Sequence, residues 1–198
     1  MENIIVSITG ASGVVYGQRL LQILCNKAYK IHLVISEAAA FVIAYELGIN
    51  LGHNHPNITE FLGYTTKNII YYKNSDISAT IASSRHPVKA MAIVPCSMNT
   101  LCSISHGIAN NLTQRAASIT LKEGRKLIIV PRETPLSSIH LESMLKLSNI
   151  GACILPAMPG FYHKPNTLED QIDFVVGKIL DALEIKHTLI PQWNGTQV

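Results

Sequence analysis

The sequence is poor in the features that would tie it to a membrane, a metal or an oxidising compartment. Its four cysteines, Cys25, Cys96, Cys102 and Cys153, make no CxxC pair and stand among Leu, Ile, Val and Ala. That spacing points away from disulfide staples and zinc sites and toward buried, reduced thiols. No apolar run reaches the roughly 18 to 20 residues that cross a bilayer. Met-Glu-Asn leads into a strand-like segment with no cationic stretch before it, so a cytoplasmic protein without membrane association is expected. The formal net charge is only +3, with no basic stripe interleaved with aromatics, which excludes a nucleic-acid surface and leaves room for an anionic small molecule. Eight histidines raise the question of a metal. However, His53 and His55 sit in a Gly/Asn loop without Cys, Asp or Glu at ligand spacing, and His86 and His106 are isolated, so no metal is expected. Internal repeats, low-complexity tracts and linkers are also missing.

What is present is a chain of 198 residues, 47% hydrophobic and 15% charged, long enough for one self-sufficient core. A single domain over residues 1–185 with a C-terminal arm or tail over 186–198 is expected. Such a low charged fraction suggests that part of the surface is covered by other copies in a homo-oligomer. Apolar β-branched runs at Ile4 to Thr9, Ile31 to Ile35, Ala90 to Val94, Leu127 to Val130 and Ala152 to Leu155 predict strands, with Pro95 and Pro131 as stops. Helical spacing follows each strand, at Tyr16 to Leu24, Glu37 to Leu47, Met98 to Ile108, Asn110 to Glu123, Ile139 to Leu147 and Thr167 to Leu183. The last of these has Leu168, Ile172, Val175, Val176, Ile179, Leu180 and Leu183 on its apolar face. Gly48 to Pro87 reads as an irregular insertion. Strands alternating with helices mean right-handed crossovers and a mostly parallel, doubly wound α/β sheet covered on both faces.

In such a sheet a ligand sits beyond the carboxyl ends of the strands. Four loops there carry chemistry. Gly10-Ala11-Ser12-Gly13 offers close backbone approach, a hydroxyl and helix N–H groups that favour an anion, although a ligandless tight turn would look the same. It is not GxGxxG, and Ser36 stands where a dinucleotide ribose would need an acid, so a mononucleotide fits better. Ser97-Met98-Asn99-Thr100 repeats the arrangement; by itself it could be simple N-capping. Pro131-Arg132-Glu133-Thr134-Pro135 places a guanidinium beside a carboxylate between prolines. Pro159-Gly160-Phe161-Tyr162-His163 aims a phenol at the same cleft.

These segments occur together with the wording of one family. The opening TGASG with Tyr16-Gly17, the PCSMNT segment, Asn110-Asn111-Leu112 with Arg115-Ala116, and the run LIIVPRETPLSSIHLESMLKLSNIGACILPAMPGFYHKP resemble the UbiX-type flavin prenyltransferases over nearly the whole chain. The resemblance implies a Rossmann-like or flavodoxin-like three-layer sandwich and trimers that build dodecamers. It also implies metal-independent transfer of a dimethylallyl group from dimethylallyl phosphate to reduced FMN. The prenylated FMN would be passed to a UbiD-type decarboxylase. Carried over by motif position, the FMN contacts would be Gly10, Ala11, Ser12, Ser36, Ser97, Met98, Asn99, Thr100, Arg115 and Arg132. The allylic phosphate would meet Lys122, Arg132, Tyr162 and Lys178, with Ser12, Glu46, Lys122 and Glu133 in catalytic roles. Lys122, Glu46 and Lys178 rest on the resemblance alone. Lys178 stands where relatives often carry arginine, and Ala82-Ser83-Ser84-Arg85 stands where they commonly read Ala-Ser-Gly-Ser.

Cleaving an allylic carbon–oxygen bond leaves a delocalised cation and a phosphate, so cations and a phenol around that phosphate would stabilise the charge that develops. The later ring closure loses a proton, for which Glu133 and Ser12 would be the relay. Two other readings compete. An FMN-dependent cysteinyl-peptide or phosphopantothenoylcysteine decarboxylase would need His86 as its catalytic histidine. A non-catalytic FMN-binding protein would have no use for Glu133, Lys122 and Tyr162 together.

Overall fold

The computed structural model describes residues 1–52 and 56–190; His53, His55 and the tail with Pro191, Trp193 and Gly195 lie outside the described residues. Short β-branched runs form six parallel strands: β1 (Glu2–Ile8), β2 (Tyr29–Ile35), β3 (Ile69–Lys73), β4 (Ala90–Cys96), β5 (Lys126–Pro131) and β6 (Cys153–Ile154). They lie in the order β3-β2-β1-β4-β5-β6, the order of doubly wound nucleotide-binding sheets, which reverses between β1 and β4. One face packs Ile4, Val6, Leu33 and Val130 against α1 (Val14–Cys25), α3 (Ile58–Leu62) and α7 (Leu168–Ala182). The other packs Ile5, Val34, Met91 and Ile129 against α4 (Met98–Ser105), α5 (Leu112–Lys122) and α6 (Ser138–Asn149). The result is a three-layer α/β sandwich.

Several expectations are corrected. The segment read as an irregular insertion supplies α3 and the edge strand β3, whose Ile69 pairs with Ile31 of β2. Pro95 and Pro131 do not stop their strands but lie within the last turn of pairing. The β4/β5 register shifts between Ile93 and Cys96, where Pro95 has no N–H to give. The stretch to Ile108 ends as a helix at Ser105. Leu168 is exposed rather than part of the apolar face of α7, and Phe174 is buried in its place. Of the cysteines, Cys25 and Cys96 are buried, Cys102 is half-buried and Cys153 is exposed; all four are free. The described part of the tail is not frayed, since Ile190 packs so closely on α7 that a Cβ at Gly177 would meet its side chain at 2.5 Å.

The helix lying over the first loop is α2 (Glu37–Leu47). Only Ala39 and Ile43 of it are buried, while Phe41 and Tyr45 are 74% and 84% exposed. Apolar side chains all round a helix mean burial on more than one side. Exposed Ile139, Leu141 and Leu145 give α6 a similar outer face.

Candidate functional site

Five loops beyond the carboxyl ends of the strands are fastened to one another in a row. The Ser36 N–H donates to Ile8 O (3.0 Å), joining the β2 loop to β1. Thr9 N–H donates to Pro95 O (3.2 Å). The Thr9 hydroxyl also donates to Pro95 O (3.0 Å) and accepts from Ser97 N–H (2.8 Å). Arg132 N–H reaches Cys96 O (3.4 Å), and Ala157 N–H donates to Pro131 O (3.1 Å). Main-chain groups and one buried hydroxyl therefore hold Ser36, the Gly10–Gly13 loop, Ser97 to Thr100, Arg132-Glu133 and the stretch leading to Tyr162 along a single rim. Thr9 was not singled out in the sequence; a polar residue closing an otherwise apolar strand was the only signal.

At the Ser36 and Ser97 loops, hydroxyls cap helices. Ser36 Oγ accepts from Ala39 N–H (3.1 Å), and Ser97 Oγ accepts from Thr100 N–H (3.3 Å) while donating to Thr100 Oγ1 (3.0 Å). Thr100 and Met98 are buried and Asn99 is exposed. Gly10 is required by α2, because a Cβ there would lie 2.5 Å from Ala38 Cβ. The α1 N-terminus differs from the expected open anion site. Gly13, at φ +95°, has no side-chain cap. Its N–H and that of Val14 donate to the Glu46 carboxylate at 3.0 and 3.2 Å. Glu46 therefore reaches from the far end of α2 to hold the Ser12 loop, and the positive end of α1 is already matched by a negative charge. The first turn of α4 has no such carboxylate, and its opening N–H groups have no acceptor within the helix.

At the other end of the rim, Arg132 is exposed and Glu133 half-buried. Arg132 and Glu133 form no ion pair with each other among the described residues; Glu133 Oε1 accepts from Thr134 N–H (3.0 Å). Beside them is a cavity of about 350 Å³ lined by Ile154, Leu155, Pro156, Met158, Phe174 and Lys178. Tyr162, 59% exposed, stands edge-on to Phe174 with centroids 5.5 Å apart. Lys178 Nζ lies 5.9 Å from the same ring and 3.8 Å from Asp181. One buried phenylalanine thus brings the expected phenol and ammonium together at the mouth of an apolar chamber.

Arg115 lies exposed in the first part of α5, whose start is anchored at the carboxyl edge by Leu112 N–H to Asn74 O (2.8 Å). Lys122 is not brought to this rim. It ends α5, seven residues and about 10 Å further along the axis, next to the start of β5, and pairs with Glu123 at 3.2 Å. His86 is also at the amino edge, before β4. It is not isolated: its Nε2 lies 3.2 Å from His32 Nε2, and its carbonyl accepts from Arg125 (3.0 Å). A histidine there is on the edge opposite the cleft of its own chain and is engaged with His32 and Arg125. No cluster of three or more His, Cys, Asp or Glu is found among the described residues.

The donors suit a mononucleotide. Hydroxyls and helix N–H groups at Ser97 to Thr100 can take one phosphate, small residues at Gly10 to Ser12 admit a flat ring, and an apolar chamber flanked by cations adjoins them. A family model described as Flavoprotein matches residues 1–191. The flavin prenyltransferase UbiX of Alkalihalophilus pseudofirmus is 50% identical over 189 residues, 96% of this chain and 94% of that protein. The crystal structure of AnUbiX in complex with FMN and dimethylallyl pyrophosphate matches with a TM-score of 0.87 at 37% identity, over 99% of both chains. A dodecameric FMN-dependent UbiX-like decarboxylase from Escherichia coli O157:H7 matches with a TM-score of 0.84 at 38% identity, over 98% of this chain and 100% of that one.

Proposed function

This chain belongs to the Flavoprotein family and, within it, to the UbiX flavin prenyltransferases, and from that premise we propose that it joins the dimethylallyl group of dimethylallyl phosphate to N5 and C6 of reduced FMN. The observation that carries the reading is the row of five fastened loops, which sets a phosphate cradle, a carboxylate and an apolar chamber with a phenol and an ammonium side by side.

Bound reduced FMN supplies the nucleophilic positions of the reaction. The chain's own residues hold and orient it: Gly10, Ala11 and Ser12 beside the ring, Ser36 at the rim, and Ser97, Met98, Asn99, Thr100, Arg115 and Arg132 around the phosphate and its tail. Leu155, Met158 and Phe174 keep water from the allylic chain. Arg132, Tyr162 and Lys178 stabilise the charge that gathers on the departing phosphate, without the reorganisation that water would need. The departing phosphate accepts the proton released at ring closure, relayed through Glu133 and Ser12. Glu46 keeps the Ser12 loop in place.

Lys122, at the opposite edge of its own sheet, serves the cleft of a neighbouring copy. The assembly is a homo-oligomer of trimers, a dodecamer, in which the exposed faces of α2 and α6 are covered. Residues 1–185 form the single flavoprotein domain and 186–198 its arm. The enzyme works in the cytoplasm and passes prenylated FMN to a UbiD-type decarboxylase. Anaerobic incubation with reduced FMN and dimethylallyl phosphate, followed by mass spectrometry of the extracted flavin, tests the reading. A flavin heavier by one isoprene unit is expected; recovery of unmodified FMN alone would refute it.

A further inference from the structure

Both ring nitrogens of His163 are buried without a hydrogen-bond partner among the described residues. Burying a polar ring unsatisfied is costly, and such atoms are few in native proteins, so each one asks for a physical reason. The reason is visible in the ring itself. His163 is stacked on Phe174, with centroids 4.9 Å apart and planes inclined by 12°. Tyr162 stands edge-on to both members of that stack, at 6.0 Å and 81° to His163 and at 5.5 Å and 80° to Phe174. The Tyr162 ring also rests on Gly160, where an added Cβ would come within 2.9 Å of it. Tyr162 lies on a loop and is more than half exposed, so contacts such as these bear on its direction more than enclosure does.

Resting on the reading of Tyr162 as a ligand of the donor's phosphate, we propose that His163 is a positioning residue that aims Tyr162 through the edge and face of its ring, not through its nitrogens. An aliphatic side chain of similar size could fill the volume beneath Phe174. It could not present the flat, polarised surface that fixes an edge-on partner, since the positive edge of one ring prefers the negative face of another. The slab of two stacked rings sets the phenol at a fixed angle above the chamber that Phe174 and Lys178 also line, so the hydroxyl arrives pointed at the phosphate before the donor binds. Pre-set geometry of this kind lowers the ordering cost of binding.

The test compares donor KM, kcat and FMN affinity in the full-length, FMN-loaded protein. His163→Leu is expected to raise the KM for dimethylallyl phosphate about tenfold, the order expected for losing an aromatic contact, with a smaller change in kcat and none in FMN affinity. His163→Phe, which keeps the stack and discards the nitrogens, is expected to restore KM to about the wild-type value. Gly160→Ala, which pushes the Tyr162 ring from another side, is expected to raise KM as His163→Leu does. A His163→Phe protein as impaired as His163→Leu would assign the role to the nitrogens and overturn the proposal, as would an unchanged KM in His163→Leu. If His163→Leu does not fold, Gly160→Ala decides, and an unchanged KM there overturns it equally. Tyr162→Phe separates the two levels. If that variant leaves donor KM unchanged, the phosphate-ligand reading itself fails; if it raises KM while His163→Leu does not, only the positioning role falls.

Discussion

The two edges of the sheet use their polar groups in opposite ways. At the amino edge, side chains are committed to one another. His32 Nδ1 meets Tyr72 OH at 3.0 Å, and His32 Nε2 meets Asn3 Oδ1 at 3.1 Å and His86 Nε2 at 3.2 Å. Arg125 grips the carbonyls of Ser84 and His86 at 2.8 and 3.0 Å. Lys89–Glu2 and Lys126–Glu184 pair at 2.7 Å. At the carboxyl edge the loops are joined to one another by main-chain groups and Thr9, and Ser36, Ser97 and Glu46 serve helix starts, while Asn99 and Arg132 are exposed. The first arrangement consumes polar side chains to make a stable end; the second supports loops while leaving side chains such as Asn99 and Arg132 exposed. A cleft for a charged ligand needs the second.

The largest effect expected from breaking this contrast is at Glu133. Glu133→Gln preserves the contact to Thr134 N–H but removes the proton-accepting charge. Product formation is expected to slow by on the order of 10²–10⁴-fold, with FMN binding and thermal stability unchanged. A wild-type rate would remove Glu133 from the chemistry, and loss of stability would class it with the amino edge. Next is His32. Burial, the charge of nearby His86 and that of Lys30 lower its pKa from 6.5 to about 4. Above pH 6.5 it is neutral in both folded and unfolded chains and contributes no pH dependence. Between 6.5 and about 4 the unfolded chain takes up a proton that the folded chain refuses, so stability falls with acidification, by up to about 3 kcal/mol, and levels off below. Urea unfolding across that window should show the slope, and His32→Gln should flatten it; an equal slope in the variant would locate the effect elsewhere. The smallest effect concerns Glu46, a carboxyl-edge carboxylate committed to structure. Glu46→Gln is expected to lower stability by about 0.3–1 kcal/mol, the worth of a charge at a helix N-terminus. A loss of several kcal/mol in thermal unfolding would mean that the loop hangs on Glu46 as heavily as the amino edge hangs on its pairs.

The division between the edges also accounts for what could be read from the residues. β1, β2, β4 and β5 are buried on both faces, so each is a near-continuous apolar run and stands out. β3 is the edge strand; Ile69, Tyr71 and Tyr72 are half-buried and Ile70 and Lys73 exposed, so with Asn, His and Ser clusters around them no period was visible. The carboxyl-edge loops were legible because small, hydroxylated and charged residues directly after a buried strand are what a ligand cleft requires and what a bare connection can do without. Lys178 and Glu46 were not, since on their helices they look like ordinary surface charges until Phe174 or Gly13 is seen beside them. Lys122, at the far end of α5 and paired with Glu123, also looks like an ordinary surface charge. His32 and His86, 54 residues apart, are likewise joined only by the register of β1, β2 and β4.

Helix α2 touches the first loop twice, through Ala38 against Gly10 and through Glu46 on Gly13, while Phe41 and Tyr45 project from its middle into solvent. A ligand that steadies the loop therefore steadies the helix, and a neighbour that covers Phe41 and Tyr45 does the same from outside. The two events share one free energy. Were another copy to cover Phe41 and Tyr45, whatever affinity a filled cleft added to association, association would return to the cleft, and occupancy and subunit concentration would be linked variables.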